Sequence, residues 1–414
     1  MNQDGESRPS PFKRLPVELL QMILGHVPDV PSLYAAVLSC SLFYRAFEGI
    51  ETTITTQVLL NQIDVSVLPE AMMTFESTLL PDKSKPESSK AVDNFITRTL
   101  RQRPTPPRSW SLQKALPFGQ LHFYVDAFAK KFVETTLTRV PFHQPQHPVT
   151  KQEICRIQRA LYRFEICCNL YRANPNYGSA SDIFLPDFAE YENEQLNCIY
   201  GFLARIIAPT FNDVAEHDIA WGASNIDLID YVIPYYAQYF LSFGLETVHV
   251  IASAKTYKQR YRVLDAADLP GMRNFYFMSF GPKPFCDDPD SGPQNALEWA
   301  FIDENPRIAS FQDYYQNTLR GWGYVMWDQV RLETVGIFEK EWDHPELWEQ
   351  YCIDERDFAE RKKLIEKSWK RRMSISNTGG SGWWSWEDES QVRWEHGRGG
   401  CASGDAAPSP DCQT

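Results

Sequence analysis

Two histidines have a spacing that could bind a metal ion. His143 and His147 are four residues apart, which on a helix would place both imidazoles on one face, as in helical zinc sites. Pro141, Pro145 and Pro148 make a helix through this segment unfavourable, and no glutamate stands between the histidines. We therefore predict a solvated, proline-rich turn here and no metal site.

The other chemically suggestive clusters also favour structural roles. Asp287, Asp288 and Asp290 resemble a calcium loop in composition, but the closing glutamate is absent at the expected offset, so we predict an exposed turn. Cys167 and Cys168 lie in a helical stripe without the helix-start or basic setting that activates a thiol. The sequence also lacks a nucleophile elbow, a phosphate loop and a dinucleotide-binding fingerprint. We therefore predict no catalytic residues and no cofactor.

The composition is that of a globular chain with an acidic balance. The 414 residues are 43% hydrophobic, which is enough for a large core, and 54 acidic residues outnumber 41 basic ones. The net charge of -13 opposes non-specific attraction to nucleic acid or to anionic membranes. The first residues lack the apolar stretch of a secretory signal, and the nine cysteines are widely spread without a Cys-x-x-Cys pair. We therefore expect a cytoplasmic or nuclear protein, or one found in both, with neither membrane nor nucleic acid as a partner.

The elements that hold these side chains are predicted to be mainly α-helical. Apolar residues recur at three- and four-residue spacing along most of the chain, while period-two alternation is scarce. Near the amino terminus, Leu15-Pro16 predicts a helix start. Further helices are expected after Asp29 or from Pro31-Ser32, from about Ser41 to Ile50 and across Thr52 to Asp64.

Downstream, helical patterns dominate again. The strongest cover Leu116 to Val140, Lys151 to Arg172, Phe188 to Ile207, Asn225 to Leu241 and Phe311 to Trp342. Two stretches, Thr247 to Ala252 and Asn274 to Phe280, are richer in β-branched and aromatic residues and predict a minor strand pair. The expected body is therefore one large helical domain with little sheet.

A polar segment is predicted to divide the chain. Residues 81–90 are polar almost throughout, as in an exposed linker, and from about Ser374 a Gly, Ser, Ala and Pro mixture is too poor in apolar residues to bury a core. The predicted organisation is a flexible amino terminus at 1–10, a three-helix module at 11–50, a helical extension at 51–80, a linker at 81–90, a helical domain at 91–373 and a disordered tail at 374–414.

Two features mark the carboxyl-terminal part. A basic stretch from Arg361 to Arg372 predicts an exposed helix end, with nuclear targeting or docking of an acidic partner as the alternative, and Arg371-Arg372-Met373-Ser374 makes Ser374 a candidate phosphorylation site for basophilic kinases. Four tryptophans among acidic residues could form a short docking motif. They are Trp383, Trp384, Trp386 and Trp394.

Short motifs near the amino terminus follow one another in a recognisable order. They are Leu15-Pro16-Val17-Glu18-Leu19-Leu20, Ile23-Leu24, Pro31-Ser32-Leu33, Leu38-Ser39-Cys40-Ser41, and then Phe43 and Phe47. In this order and spacing they resemble the F-box family, over about a tenth of the chain. The basic residue usual after the cysteine is replaced by Ser41 and Leu42, with Arg45 one turn later.

The resemblance implies a role in ubiquitin transfer. In the F-box family the helices bind the Skp adaptor of a cullin-RING ligase, so the chain would be a non-catalytic substrate receptor of an SCF-type ligase. Its partners would be the Skp adaptor, the cullin scaffold and a protein substrate, and the helices from Phe188 onward resemble uncharacterised regions of fungal F-box proteins. Carried over from the motif, the adaptor-binding residues are Leu15, Pro16, Leu19, Leu20, Ile23, Leu33, Leu38 and Phe43.

Physical reasoning reaches part of this expectation independently. Three short helices within about forty residues cannot enclose all their apolar side chains, so some of that surface needs a partner. The alternative is that the Leu-Pro motif starts an ordinary amphipathic helix of a larger bundle, in a helical interaction protein that acts outside a ubiquitin ligase. A third alternative is an enzyme whose catalytic residues come from distant parts of the chain.

Overall fold

The chain is mainly α-helical in a computed structural model, as the sequence predicts. The structure describes residues 11–81, 85–100, 102, 104–105, 109–139, 141, 147–173, 188–223, 235–265, 290–301, 319–340, 360 and 363–395. No single helix in these ranges is long and apolar enough to cross a membrane; the second and third helices reach that length and composition only together, and they are bent by 119° at the break between them.

The helices follow one another with short connections in the first half of the chain. They are α1 (Val17–Gly25), α2 (Val30–Ser39), α3 (Ser41–Glu48), α4 (Glu51–Gln62), α5 (Leu68–Thr78), α6 (Ser88–Phe95), α7 (Leu112–Thr136) and α8 (Lys151–Ala173). Next come α9 (Glu190–His217), α10 (Ile219–Ala223), α11 (Tyr235–Leu241), α12 (Leu245–Ser253), α13 (Tyr257–Asp265), α14 (Ser291–Phe301), α15 (Gln329–Thr334) and α16 (363–377). Shorter helical turns lie at Pro11–Arg14, Ile96–Leu100, 319–322 and Ile337–Glu339, and the strands are β1 (Gly380–Gly382) and β2 (Val392–Trp394).

The predicted helices of the first sixty residues are present. Pro16 precedes the first turn of α1, where its missing N–H costs no helical hydrogen bond. Asp29 caps α2, because its carboxylate accepts hydrogen bonds from the Ser32 backbone N–H at 2.7 Å and from the Ser32 hydroxyl at 2.9 Å. Cys40, in an extended conformation, separates α2 from α3.

Gln62 and Gly119 attach the amino-terminal helices to the body. The Gln62 side chain accepts a hydrogen bond from the Val30 N–H at the start of α2 and donates one to the Gly119 carbonyl in α7, both at 3.0 Å. A Cβ at Gly119 would lie 2.9 Å from atoms of Val30 and Pro31, so only glycine allows this approach of α7 to α2. The first helices are therefore packed on α4 and α7 and not carried on a free linker.

Helix α8 is the buried centre of the body and packs against α5, α7 and α9. Arg163, fully buried at its middle, donates to Glu70 of α5 at 2.9 Å and to Glu192 of α9 at 2.5 Å. Its guanidinium also lies 4.7 Å from the centre of the Phe188 ring. This single cation therefore joins three helices in the interior.

The amino-terminal end of α8 carries a second group of buried ion pairs. Arg156 donates two hydrogen bonds to Asp290 at 2.5 and 2.7 Å and one to Asp328 at 2.6 Å. Glu153 accepts from Arg331 of α15 through both carboxylate oxygens at 2.7 Å. Asp290 was predicted to lie in an exposed turn; it is instead largely buried, because it neutralises Arg156.

One continuous cluster of buried apolar side chains extends from Leu20 to Ile365. The segment at 81–90, predicted to be a linker, does not divide this core. Within it, Ser88 is buried at the start of α6, and its hydroxyl donates to the carbonyl of Ala173 at the end of α8. A polar side chain can be buried when it forms a hydrogen bond, as Ser88 does with the end of α8. Composition alone therefore indicated exposure where the structure has a buried residue.

The predicted strand at Thr247–Ala252 is wrong, since these residues belong to α12. Gly244, at φ +89, reverses the chain just before this helix, and the buried carboxylate of Glu165 accepts a hydrogen bond from the Leu245 N–H at 2.7 Å. Leu245, Val248 and Ile251 then share one buried face at three-residue spacing. The partner strand predicted at 274–280 lies outside the described residues.

One other predicted helix differs from the structure, and a second agrees with it where it is described. The pattern from Phe311 to Trp342 is interrupted where it is described, because Gly323 and Gly336 have φ values of +66 and +68 and separate short helical segments. Of the pattern from Asn225 to Leu241, the structure describes the helix from Tyr235 onward. The regular spacing of apolar residues therefore predicted too long a helix, because it does not show where a glycine with positive φ ends one.

The tail predicted to be disordered from residue 374 is ordered as far as residue 395. Helix α16 continues to residue 377, and β1 and β2 pair antiparallel, with Gly380 opposite Trp394. Trp384 is buried, and its backbone N–H donates to the His217 carbonyl at 2.9 Å. The tryptophans supply the apolar area that the Gly- and Ser-rich composition lacks, while residues 396–414 lie outside the described part.

Arg163→Met should destabilise the protein strongly. The change leaves Glu70 and Glu192 buried without their cation, and breaking a buried pair in this way costs about 3–5 kcal/mol. Urea unfolding followed by circular dichroism would measure the loss. The matched control is Lys131→Met, which breaks the exposed pair with Glu134 and should change the free energy of unfolding by less than about 1 kcal/mol. Equal effects of the two variants would contradict the central role of Arg163.

Candidate functional site

Exposed apolar side chains are concentrated on the first three helices and the turn before them. In the described ranges, eight of the seventeen large apolar side chains that are exposed fall within residues 12–44. We call these eight the amino-terminal apolar surface. They are Phe12, Val17, Leu19, Met22, Ile23, Tyr34, Leu38 and Tyr44. Such a concentration is typical of a protein interaction site.

Helices α1 and α2 are apolar on two faces. In α1, Leu20 and Leu24 are buried, while Leu19, Met22 and Ile23, at three- and four-residue spacing, are exposed. In α2, Val30, Leu33 and Val37 are buried, while Tyr34 and Leu38 share an exposed face. A surface helix normally has one apolar stripe and a polar opposite face. The second stripe therefore indicates a partner that would cover it.

The eight residues that the motif predicted to bind an adaptor differ in their exposure to solvent. Two are in the core, namely Leu20 and Leu33. Two are half-buried, namely Leu15 and Phe43, and the Phe43 ring packs against Phe12 with 5.3 Å between ring centres. Four are exposed, namely Pro16, Leu19, Ile23 and Leu38. Only the last two groups are accessible to a partner.

Sequence reasoning missed five members of this surface. Met22 follows Leu19 by three residues and Tyr34 precedes Leu38 by four, so the helical period alone could have indicated both. Phe12, Val17 and Tyr44 carry no such signal, since their exposure depends on how the helices pack.

A cleft of about 1170 Å³ opens beside the connection between α1 and α2. Its walls come from that connection and the start of α2, the end of α4, α5, the middle of α7, α8, and Phe243 and Glu246 at the start of α12. On α8, the lining residues Gln158, Tyr162 and Glu165 follow the helical period at i, i+4 and i+7. A buried helix thus presents a polar stripe to the cleft, which its apolar pattern in the sequence did not reveal.

His122 of α7 and Tyr162 of α8 form a buried pair at the floor of the cleft. The Tyr162 hydroxyl lies 3.0 Å from His122 Nδ1, and the imidazole also bonds to the backbone of Gln62. Burial lowers the pKa of His122 to about 4, and the nearby Lys130 lowers it further against the opposing effect of Asp126. Burial raises the pKa of the Tyr162 hydroxyl, so both side chains are neutral at pH 7.

The remaining motifs do not assemble a reactive centre in the described part of the chain. His147 is exposed, whereas His143 lies outside that part. Cys167 and Cys168 are buried, and burial raises the pKa of both thiols. Among the described residues, no group of three or more His, Cys, Asp or Glu side chains is placed to hold a metal ion.

The carboxyl-terminal candidates are partly exposed. Ser374 is exposed near the end of α16, and its carbonyl accepts a hydrogen bond from the Thr378 hydroxyl. Arg372, predicted within a solvated face, is instead fully buried and donates to the Asp218 carbonyl at 2.8 Å. Trp383 stacks on His217 with 4.3 Å between ring centres, so this part of the tryptophan motif is folded against the body.

Comparison of the chain with protein-family models, with curated proteins and with solved structures finds no match. The two features that remain for a functional argument are the amino-terminal apolar surface and the cleft. The first consists of exposed apolar side chains. The second has the polar side chains Gln158, Tyr162 and Glu165 in its lining.

Leu33→Ala and Leu38→Ala, five residues apart in α2, should differ sharply in stability. Leu33 is 0% exposed, and truncation of such a side chain costs about 2–5 kcal/mol. Leu38 is 62% exposed, so its truncation should change the free energy of unfolding by less than about 0.5 kcal/mol. Urea denaturation of both variants would measure these values. A large loss for Leu38→Ala would show that this side chain is part of the fold.

His122 should make stability depend on pH below 6.5. The unfolded chain protonates this histidine near pH 6.5 but the folded chain only near pH 4, so the stabilisation is complete above 6.5 and falls as pH decreases through this range. The two values imply a loss of about 3 kcal/mol. Urea unfolding between pH 7.5 and 4.5 should therefore show a smaller decrease for His122→Asn than for the wild type. Parallel pH profiles would contradict the assignment.

Proposed function

We propose that this chain is the substrate-receptor subunit of an SCF-type cullin-RING ubiquitin ligase. It binds the Skp adaptor through an F-box-like module formed by α1, α2 and α3, and it holds a protein substrate on the helical body. The chain itself does no chemistry in this role. It raises the effective concentration of the substrate near the ubiquitin-charged enzyme.

The observation that carries the proposal is the exposure of motif positions. Leu19, Ile23 and Leu38 are adaptor-binding positions in the F-box resemblance, and all three are uncovered in a protein whose other large apolar residues are mostly buried. Leu20 and Leu33, from the same motifs, are buried and hold the helices together. The motif thus supplies both a small core and an apolar face, as a docking module requires.

The attachment of the three helices to the body also supports the proposal. The hydrogen bonds of Gln62 to α2 and α7, and the close approach at Gly119, fix the module against the rest of the chain. A receptor benefits from this arrangement, since a rigid connection keeps the substrate within reach of the transfer enzyme.

Leu19→Asp/Leu38→Asp should abolish binding to a purified fungal Skp adaptor. Each change places a carboxylate in an interface that would otherwise exclude water, so we expect binding at least a hundredfold weaker by isothermal titration calorimetry. The matched control is Leu79→Asp, because Leu79 is equally exposed but lies at the end of α5, outside the amino-terminal apolar surface. This control should bind as the wild type does.

Addition of the cullin scaffold separates the proposal from its nearest alternative. A ligase receptor should elute with both the adaptor and the cullin in size-exclusion chromatography. Binding of the adaptor without the cullin would favour a helical interaction protein that acts outside a ligase. Failure of the folded wild-type chain to bind the adaptor would overturn the proposal.

A further inference from the structure

The cleft beside the α1–α2 connection is larger than a typical small-molecule pocket. Its volume of about 1170 Å³ exceeds the roughly 300–1,000 Å³ typical of small-molecule pockets. Its walls combine the amino-terminal helices with α5, α7 and α8, so the cleft lies where the proposed docking module meets the body. A ligand held there would be close to the module.

Gln158 is the cleft side chain that gives the strongest evidence for a ligand. It is 6% exposed, it lines the cleft, and it forms no hydrogen bond with the described residues. Its polar neighbours on the same face of α8 have partners, since Tyr162 bonds to His122 and Glu165 accepts from the Leu245 N–H. Gln158 is not among the described residues whose fully buried polar atoms lack a partner, so its amide reaches the cleft, where a ligand can bond to it.

The charges that line the cleft favour a cation. Four acidic side chains face two basic ones, and both basic groups are already paired with cleft carboxylates: Lys130 with Asp126 at 2.7 Å and Arg172 with Glu165 at 3.6 Å. Asp29 is occupied as the cap of α2. Glu246, which is exposed and accepts only a long hydrogen bond of 3.3 Å from Tyr124, remains available to a positively charged ligand.

The apolar part of the lining is largely aromatic. Five rings accompany Tyr162, namely Phe75, Phe118, Phe123, Tyr124 and Phe243. Phe123 is exposed and Phe75 and Phe243 are half-buried, so the lining includes aromatic side chains that solvent reaches. A planar guanidinium stacks on aromatic rings and offers five N–H donors, whereas an ammonium is a compact, strongly hydrated charge. Carboxylate, unpaired amide and rings together match arginine best.

We propose that the cleft binds a peptide segment through an arginine side chain, with the Gln158 carbonyl and the Glu246 carboxylate accepting its N–H groups. This inference rests on the proposed function only in taking the segment to belong to the substrate of the ligase. The arginine peptide is thus the substrate class that the receptor recognises.

Fluorescence anisotropy with the full chain tests the site. The probe is fluorescein-Gly-Ser-Ala-Arg-Ala-Ser-Gly, and the matched probe carries citrulline, which has the same shape as arginine but no charge. We expect saturable binding of the arginine probe, at least tenfold tighter than that of the citrulline probe. Gln158→Leu and Glu246→Gln should each weaken binding roughly tenfold, since the first removes a hydrogen-bond acceptor and the second removes the negative charge that attracts the guanidinium. Glu134→Gln, an exposed change on α7 outside the cleft, should leave binding unchanged.

A loss of stability can be distinguished from a loss of binding in this test. Replacement of an unpartnered buried amide by leucine should leave the melting temperature unchanged or raise it, so weaker binding by Gln158→Leu would come from the cleft.

Equal binding of the two probes, wild-type affinity in both cleft variants, or binding of L-argininamide as tightly as the peptide would each overturn the proposal. Leu19→Asp/Leu38→Asp should still bind the probe, and Gln158→Leu should still bind the adaptor, so failure of one proposal is distinguishable from failure of the other.

Discussion

The buried guanidinium of Arg163 sets the arrangement of the helices around it. A cation removed from water must be neutralised where it lies, so Glu70 of α5 and Glu192 of α9 have to approach the middle of α8 from different directions. Arg156 makes the same demand on Asp290 and Asp328 at the end of the helix. Because these partners are distant in sequence, helices far apart along the chain must pack together before the charges are satisfied, and the Arg156 pairs join the first half of the chain to the second.

The two candidate binding regions follow from different physical constraints. The amino-terminal apolar surface exists because α1 and α2 have more apolar area than three short helices can cover, and such a surface is typical of a protein interaction site. The cleft has a polar floor because one face of α8 carries a polar stripe that begins with Gln158. The first region would supply affinity by excluding water, while the second would supply selectivity by matching hydrogen bonds and charge.

Local signals in the sequence predicted most helix starts, but they failed where a contact distant in sequence determines the structure. The cap at Asp29 and the proline before α1 determine helix starts within a few residues, so they can be read without the fold. The error at Thr247–Ala252 arose because a carboxylate eighty residues away, on Glu165, completes the start of α12. The motif identified which positions of the candidate surface matter, but only packing separates buried Leu33 from exposed Leu38. The lining of the cleft, assembled from six segments, has no local signature of this kind.

The contact between Gln62, Gly119 and the start of α2 has a mechanical consequence. Two hydrogen bonds and a glycine that admits no side chain leave no hinge between the first helices and α7. Any protein docked on one end of the molecule would therefore present the other end at an angle determined during folding. In the proposed ligase, the length of the captured substrate's own chain would then help to decide which of its lysines come within range.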